Sequence, residues 1–191
     1  MIITIGGELG AGKTSVGRLL ASKLGFEYKC GGDFMGEMAH KRGISLLELT
    51  RQANTDPAID SEIDHYIQQL ERSGKNLVVD ARLGFYFIPK SLKVYLKVDP
   101  AVGARRAFES RKQRTDEPEN TDLATTMRNQ KERYESERYR YQRSYSVDPA
   151  NTELYDIVID TTTPTVPAIV DQILSHPFFS GIKKSPGRIV L

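Results

Sequence analysis

Gly7-Glu8-Leu9-Gly10-Ala11-Gly12-Lys13-Thr14 is the stretch on which the reading of this chain turns. It fits the pattern G-x-x-x-x-G-K-[ST], in which each part has a physical task. Glycines let backbone N–H groups curl around phosphate oxygens, lysine neutralises charge on the terminal phosphates, and the Ser/Thr hydroxyl serves as a magnesium ligand. Residues 2–5, Ile-Ile-Thr-Ile, form the apolar run of a buried central strand just before it. Residues 13–24 place Val16, Leu19, Leu20 and Leu24 at helical spacing just after it, and Gly25 marks the stop. A glycine-rich turn without a ligand would need neither this strand nor this helix. The reading is therefore a triphosphate-binding loop, with Gly7, Gly10, Ala11, Gly12, Lys13, Thr14 and Ser15 around ATP and Thr14 on Mg2+.

Working outward, residues 26–30, 76–80, 92–98 and 155–159 read as four further strands. Residues 33–73 read as wholly helical, with Asp33 as an N-cap and Pro57 separating two helices. Helices are also expected over 101–112, 123–145 and 167–174, with a polar stretch at 113–122. Alternating strands and helices predict an α/β three-layer sandwich around a five-stranded parallel sheet. The helical block and the polar stretch become inserts above the ligand edge, and the tail from His176 reads as a loose extension.

Composition bounds the remaining classes. With 191 residues, 39% hydrophobic and 27% charged, the chain reads as one soluble globular domain. A net charge of +2 gives no whole-molecule case for nucleic acid. The Arg/Tyr-rich helix carries Glu132, Glu135 and Glu137, which suits a salt-bridged helix better than a base-stacking surface. No stretch reaches the ~20 apolar residues of a membrane span, and the N-terminus lacks signal-peptide character. The single cysteine, Cys30, excludes an internal disulfide and points to a reducing cytoplasm. His40, His65, His176 and Cys30 share no metal-ligand spacing.

Asp80 ends an apolar strand, where it serves either a magnesium-bound water and the substrate or a plain strand-end cap. Asp33 is either an acceptor-binding acid or a helix cap. Arg82, just past the third strand, leads a set of cations that includes Arg105, Arg106, Arg111, Arg114, Arg133, Arg138 and Arg140.

Taken together, the loop, Gly32-Asp33-Phe34-Met35, Asp80-Ala81-Arg82-Leu83, Arg133-Tyr134-Glu135-Ser136-Glu137, Arg140-Tyr141, Tyr145, Val147-Asp148 and residues 155–161 resemble the nucleoside monophosphate kinases. Within them the chain is most similar to the short cytidylate kinases of archaea and some bacteria, over roughly residues 1–175. The resemblance implies a core, an acceptor-binding insert at 33–73 and a lid near 105–130. It implies Lys13, Arg82, Arg133 and Arg140 as catalytic residues and Asp33, Asp80 and Arg82 as substrate-binding residues. The implied reaction takes ATP and CMP or dCMP to the diphosphates with Mg2+, in a cytoplasmic protein that is monomeric by default. Two departures stand out. Glu8 puts a carboxylate in a loop built for anions, and Gly36 stands where such kinases carry an arginine for the acceptor phosphate. Either Lys29 or Arg42 supplies the missing charge, or the acceptor is a different small molecule; a regulator that binds ATP with little transfer is the third reading.

Overall fold

Strand β1 (Ile2–Gly7) lies at the centre of a five-stranded sheet because its residues are buried on both faces. The computed structural model describes residues 1–110, 119–180, 183–185 and 188–190. The other strands are β2 (Glu27–Cys30), β3 (Leu77–Asp80), β4 (Leu92–Lys97) and β5 (Ile157–Asp160). All pair in parallel in the order β2-β3-β1-β4-β5. The two neighbours of β1 leave it in opposite directions, so its C-terminal end is the switch point where such sheets take ligands.

Helix α1 (Lys13–Leu24) and the last helix, Val166–Leu174, cover one face. There Val16, Leu20 and Leu24 meet Ile3, Ile5, Val94 and Leu96, together with Ile169 and Ile173. The opposite face carries Tyr95 under Leu83, Phe85, Tyr141 and Tyr155, and beside them Val79 packs on Ile67 and Leu70. These two layers make the sandwich the alternation predicts.

The block after β2 is helical, in three pieces: α2 (Gly31–Lys41), α3 (Leu46–Gln52) and α4 (Pro57–Arg72). Ser45 caps α3 by accepting the Glu48 N–H, and Asp56 caps α4 with Pro57 in its first turn. The block has its own small core of Met35, Met38, Leu46, Leu49 and Ile59. One expectation fails here: α2 begins two residues early, at Gly31, so Asp33 lies in its first turn and is not its N-cap. Gly31 is buried against Ala81, and the strand turns directly into helix there. An acid in the first turn still complements the helix dipole.

A four-residue helix, α5 (Gly84–Phe87), follows β3; it is too short for periodicity to reveal. Helix α6 (Pro100–Ser110) precedes the polar stretch; residues 111–118, with the end of the expected helix, the candidate cations Arg111 and Arg114 and part of the expected lid, lie outside the described residues. Helix α7 (Leu123–Tyr145) matches its sequence reading and opens on the Asp122 cap. With α8 assigned to Val166–Leu174, the tail is more ordered than expected: Phe179 is buried in the main core, and Lys183–Ser185 pairs antiparallel with Arg188–Val190.

Polar contacts tie α7 to the helical insert. Arg140, 5% exposed, donates to both oxygens of Asp60, at 2.8 and 3.3 Å, and to Ser136 at 2.6 Å. Arg51 pairs with Glu132 at the surface. Breaking a buried pair strands a charge, so Arg140→Ala is expected to lower stability by about 3–5 kcal/mol in urea denaturation. Arg51→Ala, at a solvated site, leaves the midpoint nearly unchanged. Equal shifts for the two variants would contradict the assignment.

Candidate active site

The loop after β1 leaves the sheet through Gly7, whose φ of 137° and close approach to β4 admit no side chain; a Cβ there would lie 2.3 Å from the Leu96 carbonyl oxygen. Gly10 allows equally close contact with α6, where a Cβ would meet the Gly103 oxygen at 2.1 Å. Gly12 takes a left-handed φ of 82° and opens α1 without a side-chain cap. The first-turn N–H groups of α1 are thereby left for a ligand.

Lys13 folds back under this loop and donates to the carbonyls of Gly7 at 3.1 Å and Glu8 at 2.7 Å. Burial, reinforced by the Arg82 charge, pushes its ammonium down to about 7. A buried cation beside an uncapped helix start fits the terminal phosphates of a nucleotide, which would restore the charge that burial disfavours.

Across the loop, Thr14 Oγ1 donates to Asp80 Oδ2 at 3.2 Å and the Tyr28 hydroxyl donates to the same oxygen at 3.0 Å. The Cys30 thiol, pushed up to about 11 by burial and by Asp80, sits 3.8 Å from it. Among the described residues no group of three His, Cys, Asp or Glu side chains could hold a metal alone. A hydroxyl and one carboxylate suit Mg2+, which keeps waters and takes its remaining ligands from phosphates.

Glu8 does not face the anion site. Its Oε2 accepts the Val98 N–H at 2.6 Å, so the carboxylate is turned toward the end of β4 and anchors the loop there. The repulsion expected from sequence is absent for that reason.

The loop opens into a cleft of about 780 Å³, within the range of ligand sites. Residues 10–15 of the loop, with Asp33, Asp80, Arg82 and Arg133, all line it. Gly7 does not; its carbonyl is held by Lys13 and by Arg82. Arg82 also donates to Glu137 at 2.8 Å, and Arg133 approaches the same carboxylate at 3.6 Å. Burial alone would raise the Glu137 carboxyl, but Arg82, Arg133 and Arg140 hold it below the usual range. Glu137 thus sets two guanidiniums side by side above the sheet.

Arg140 is not brought to this group, because its guanidinium is committed to Asp60. Nor do the two suggested substitutes for the missing arginine arrive: Lys29 pairs with Glu27 and Arg42 with Glu62, and neither lines the cleft. Sequence reasoning passed over Tyr28 and Glu137 as site residues. Only the strand register, which sets Cys30 opposite Asp80, puts Tyr28 within reach. Arg106 joins the cleft too, donating to the carbonyls of Thr161 at 2.9 Å and Thr162 at 3.1 Å.

This strand order, with a phosphate-type loop between β1 and α1 and a helical insert after β2, is the fold of P-loop kinases. Shikimate kinase from Acinetobacter baumannii superposes with a TM-score of 0.62 at 17% identity, covering 95% of each chain. A gluconokinase from Sinorhizobium meliloti gives 0.55 at 20% identity, over 91% of this chain and 89% of the other. At such identities the likeness concerns the fold alone.

The chain belongs to the cytidylate kinase-like family, whose pattern it matches over residues 2–163. It is 37% identical over 161 residues to the cytidylate kinase of Methanothermobacter thermautotrophicus, covering 84% of this chain and 95% of that one. The Archaeoglobus fulgidus cytidylate kinase is 33% identical, with 91% and 93% covered. A nucleotide dehydratase dependent on S-adenosylmethionine, from Lacinutrix mariniflava, is 37% identical over 91% of this chain, which spans only 35% of that protein.

The Lys13 environment makes a measurable prediction. At pH 8 the free ammonium, held near 7, is mostly neutral, whereas phosphate contact favours its charged form. ATP binding at that pH should therefore take up close to one proton, read by calorimetry in buffers of different ionisation enthalpy. No uptake at pH 8 would mean that Lys13 does not meet the phosphates.

Proposed function

We propose that this chain is an ATP- and Mg2+-dependent nucleoside monophosphate kinase whose acceptors are CMP and dCMP. The observation that carries the proposal is two neighbouring anion grips in one cleft: Lys13 with the loop, and beside it Arg82 with Arg133 around Glu137, Lys13 and Arg82 meeting at the Gly7 carbonyl. A donor triphosphate and an acceptor monophosphate need that pairing. The family membership and the named cytidylate kinases among its relatives support the same reading.

In this mechanism the loop N–H groups and Lys13 orient the γ-phosphate and spread its charge. Thr14 and Asp80 would hold Mg2+, which would supply charge neutralisation to the phosphates. Arg82 and Arg133 place the acceptor phosphate in line. The attacking oxygen is already ionised, so no general base is required, and catalysis is positioning plus electrostatics. Residues 33–73 act as the acceptor-binding insert and residues near 105–130 as the lid; Arg140 acts through its hold on the insert. No described helix is long and apolar enough to cross a membrane. The proposed setting is a cytoplasmic monomer acting on small molecules, without nucleic acid.

A second reading has one observation behind it. The insert wall brings Asp33, Asp60 and Asp64 to the cleft but no cation, and Gly36 supplies none. That would suit an uncharged hydroxyl acceptor with Asp33 as its base. The regulator reading loses its support from Glu8, whose carboxylate is turned onto the Val98 N–H.

ADP release measured with CMP, dCMP, UMP, AMP and non-nucleotide alcohols separates these cases. The expected result is the highest kcat/KM on CMP and dCMP, with Lys13→Ala lowering kcat at least ~100-fold at unchanged thermal stability. Turnover confined to alcohols would replace the first reading with the second.

A further inference from the structure

The end of the cleft away from the loop is formed by the insert, where Met35, Leu46, Leu47, Ile63 and Ile67 make an apolar wall. Asp60 and Asp64 of α4 interrupt that wall, and of the two Asp64 is the one not paired with an arginine. Its Oδ2 accepts the hydroxyl proton of Tyr145, at the last position of α7. The phenol also packs against Tyr86, Phe87 and Tyr141, which fixes its direction. Among the described residues no side chain donates to Asp64 Oδ1, and the residue is half-buried. An apolar slot with an oriented acceptor that keeps one oxygen for a ligand is the form of a site that reads a flat ring by one edge.

We infer that Asp64, oriented by Tyr145, is the residue that selects the acceptor base, by accepting a hydrogen bond from an exocyclic amine. The inference rests on the nucleoside monophosphate kinase reading and names the group within it that would prefer cytosine to uracil. Cytosine offers an amine at its 4-position, where uracil offers a carbonyl oxygen. A carbonyl facing the carboxylate leaves two acceptors opposed without a proton, and sites of this kind reject the wrong partner strongly. Asp60, one turn away, cannot take the role, because both its oxygens are held by Arg140.

Burial, more than the groups around it, leaves Asp64 titratable near neutrality. From its own helix Asp60 pushes its carboxyl up and His65 pulls it down; from α7 the Tyr145 hydrogen bond lowers it. Burial outweighs these, and the carboxyl is pushed up to about 6. Below that pH it gains a proton and ceases to be a pure acceptor.

The test compares kcat/KM for CMP and UMP in wild type, Asp64→Asn and Asp64→Ser, with thermal unfolding to confirm the fold of each variant. The expected outcome for Asp64→Asn is a ~10–100-fold fall on CMP and no fall on UMP, since the amide can donate to the uracil oxygen. As the pH is lowered through 6, wild-type kcat/KM on CMP should fall more steeply than that of either variant, beyond the fall that protonation of the acceptor phosphate imposes on all three. Folded variants that turn over CMP with the wild-type CMP-to-UMP ratio overturn the inference. Wild-type protein that turns over no nucleoside monophosphate overturns the reading beneath it, and the inference with it.

Discussion

Everything in the site hangs on how the chain leaves β1. At the end of that strand the backbone must quit the sheet, pass within reach of β4 and α6, and enter α1 with its N–H groups uncovered. Gly7 and Gly10 permit the close passages, and Gly12 supplies the left-handed turn into the helix. What holds the loop in place is the Glu8 carboxylate on the Val98 N–H, together with the Glu8 N–H on the Leu96 carbonyl at 3.0 Å. A side chain that looks hostile to phosphate in sequence is therefore the fastening of the loop that would bind it.

The arginines of α7 divide by burial and partner. Arg133 meets Glu137, which also takes Arg82, so one buried carboxylate holds two guanidiniums side by side. Arg140, about two turns beyond Arg133 in the same helix, meets Asp60 one to one and is neutralised. Buried ion pairs stabilise little relative to apolar packing but are costly to break. The same helix thus holds the Arg82–Glu137–Arg133 group at one level and fastens the insert at another, which couples that group to the position of α3 and α4.

Much of this was legible beforehand, and the reasons differ by element. The strand β1, the loop and α1 were readable because each has its own period or motif, and α7 because 23 residues of helix leave a long trace. Asp33 was misplaced because Gly31 and Gly32 enter the helix, contrary to their weak propensity, where packing on Ala81 decides. The direction of Glu8, the commitment of Arg140 to Asp60 and the Tyr28 contact with Asp80 were not readable. Each joins residues 52 to 90 positions apart, and only the strand register and helix packing bring them together.

The sign of one effect tests the central claim most directly: the ATP affinity of Glu8→Ala, measured by equilibrium titration against wild type. If the carboxylate is the loop's anchor, its removal loosens the N–H cradle and ATP binds more weakly, by up to ~tenfold. If instead Glu8 faced the phosphates, its removal would relieve repulsion. Unchanged or tighter binding would contradict the account.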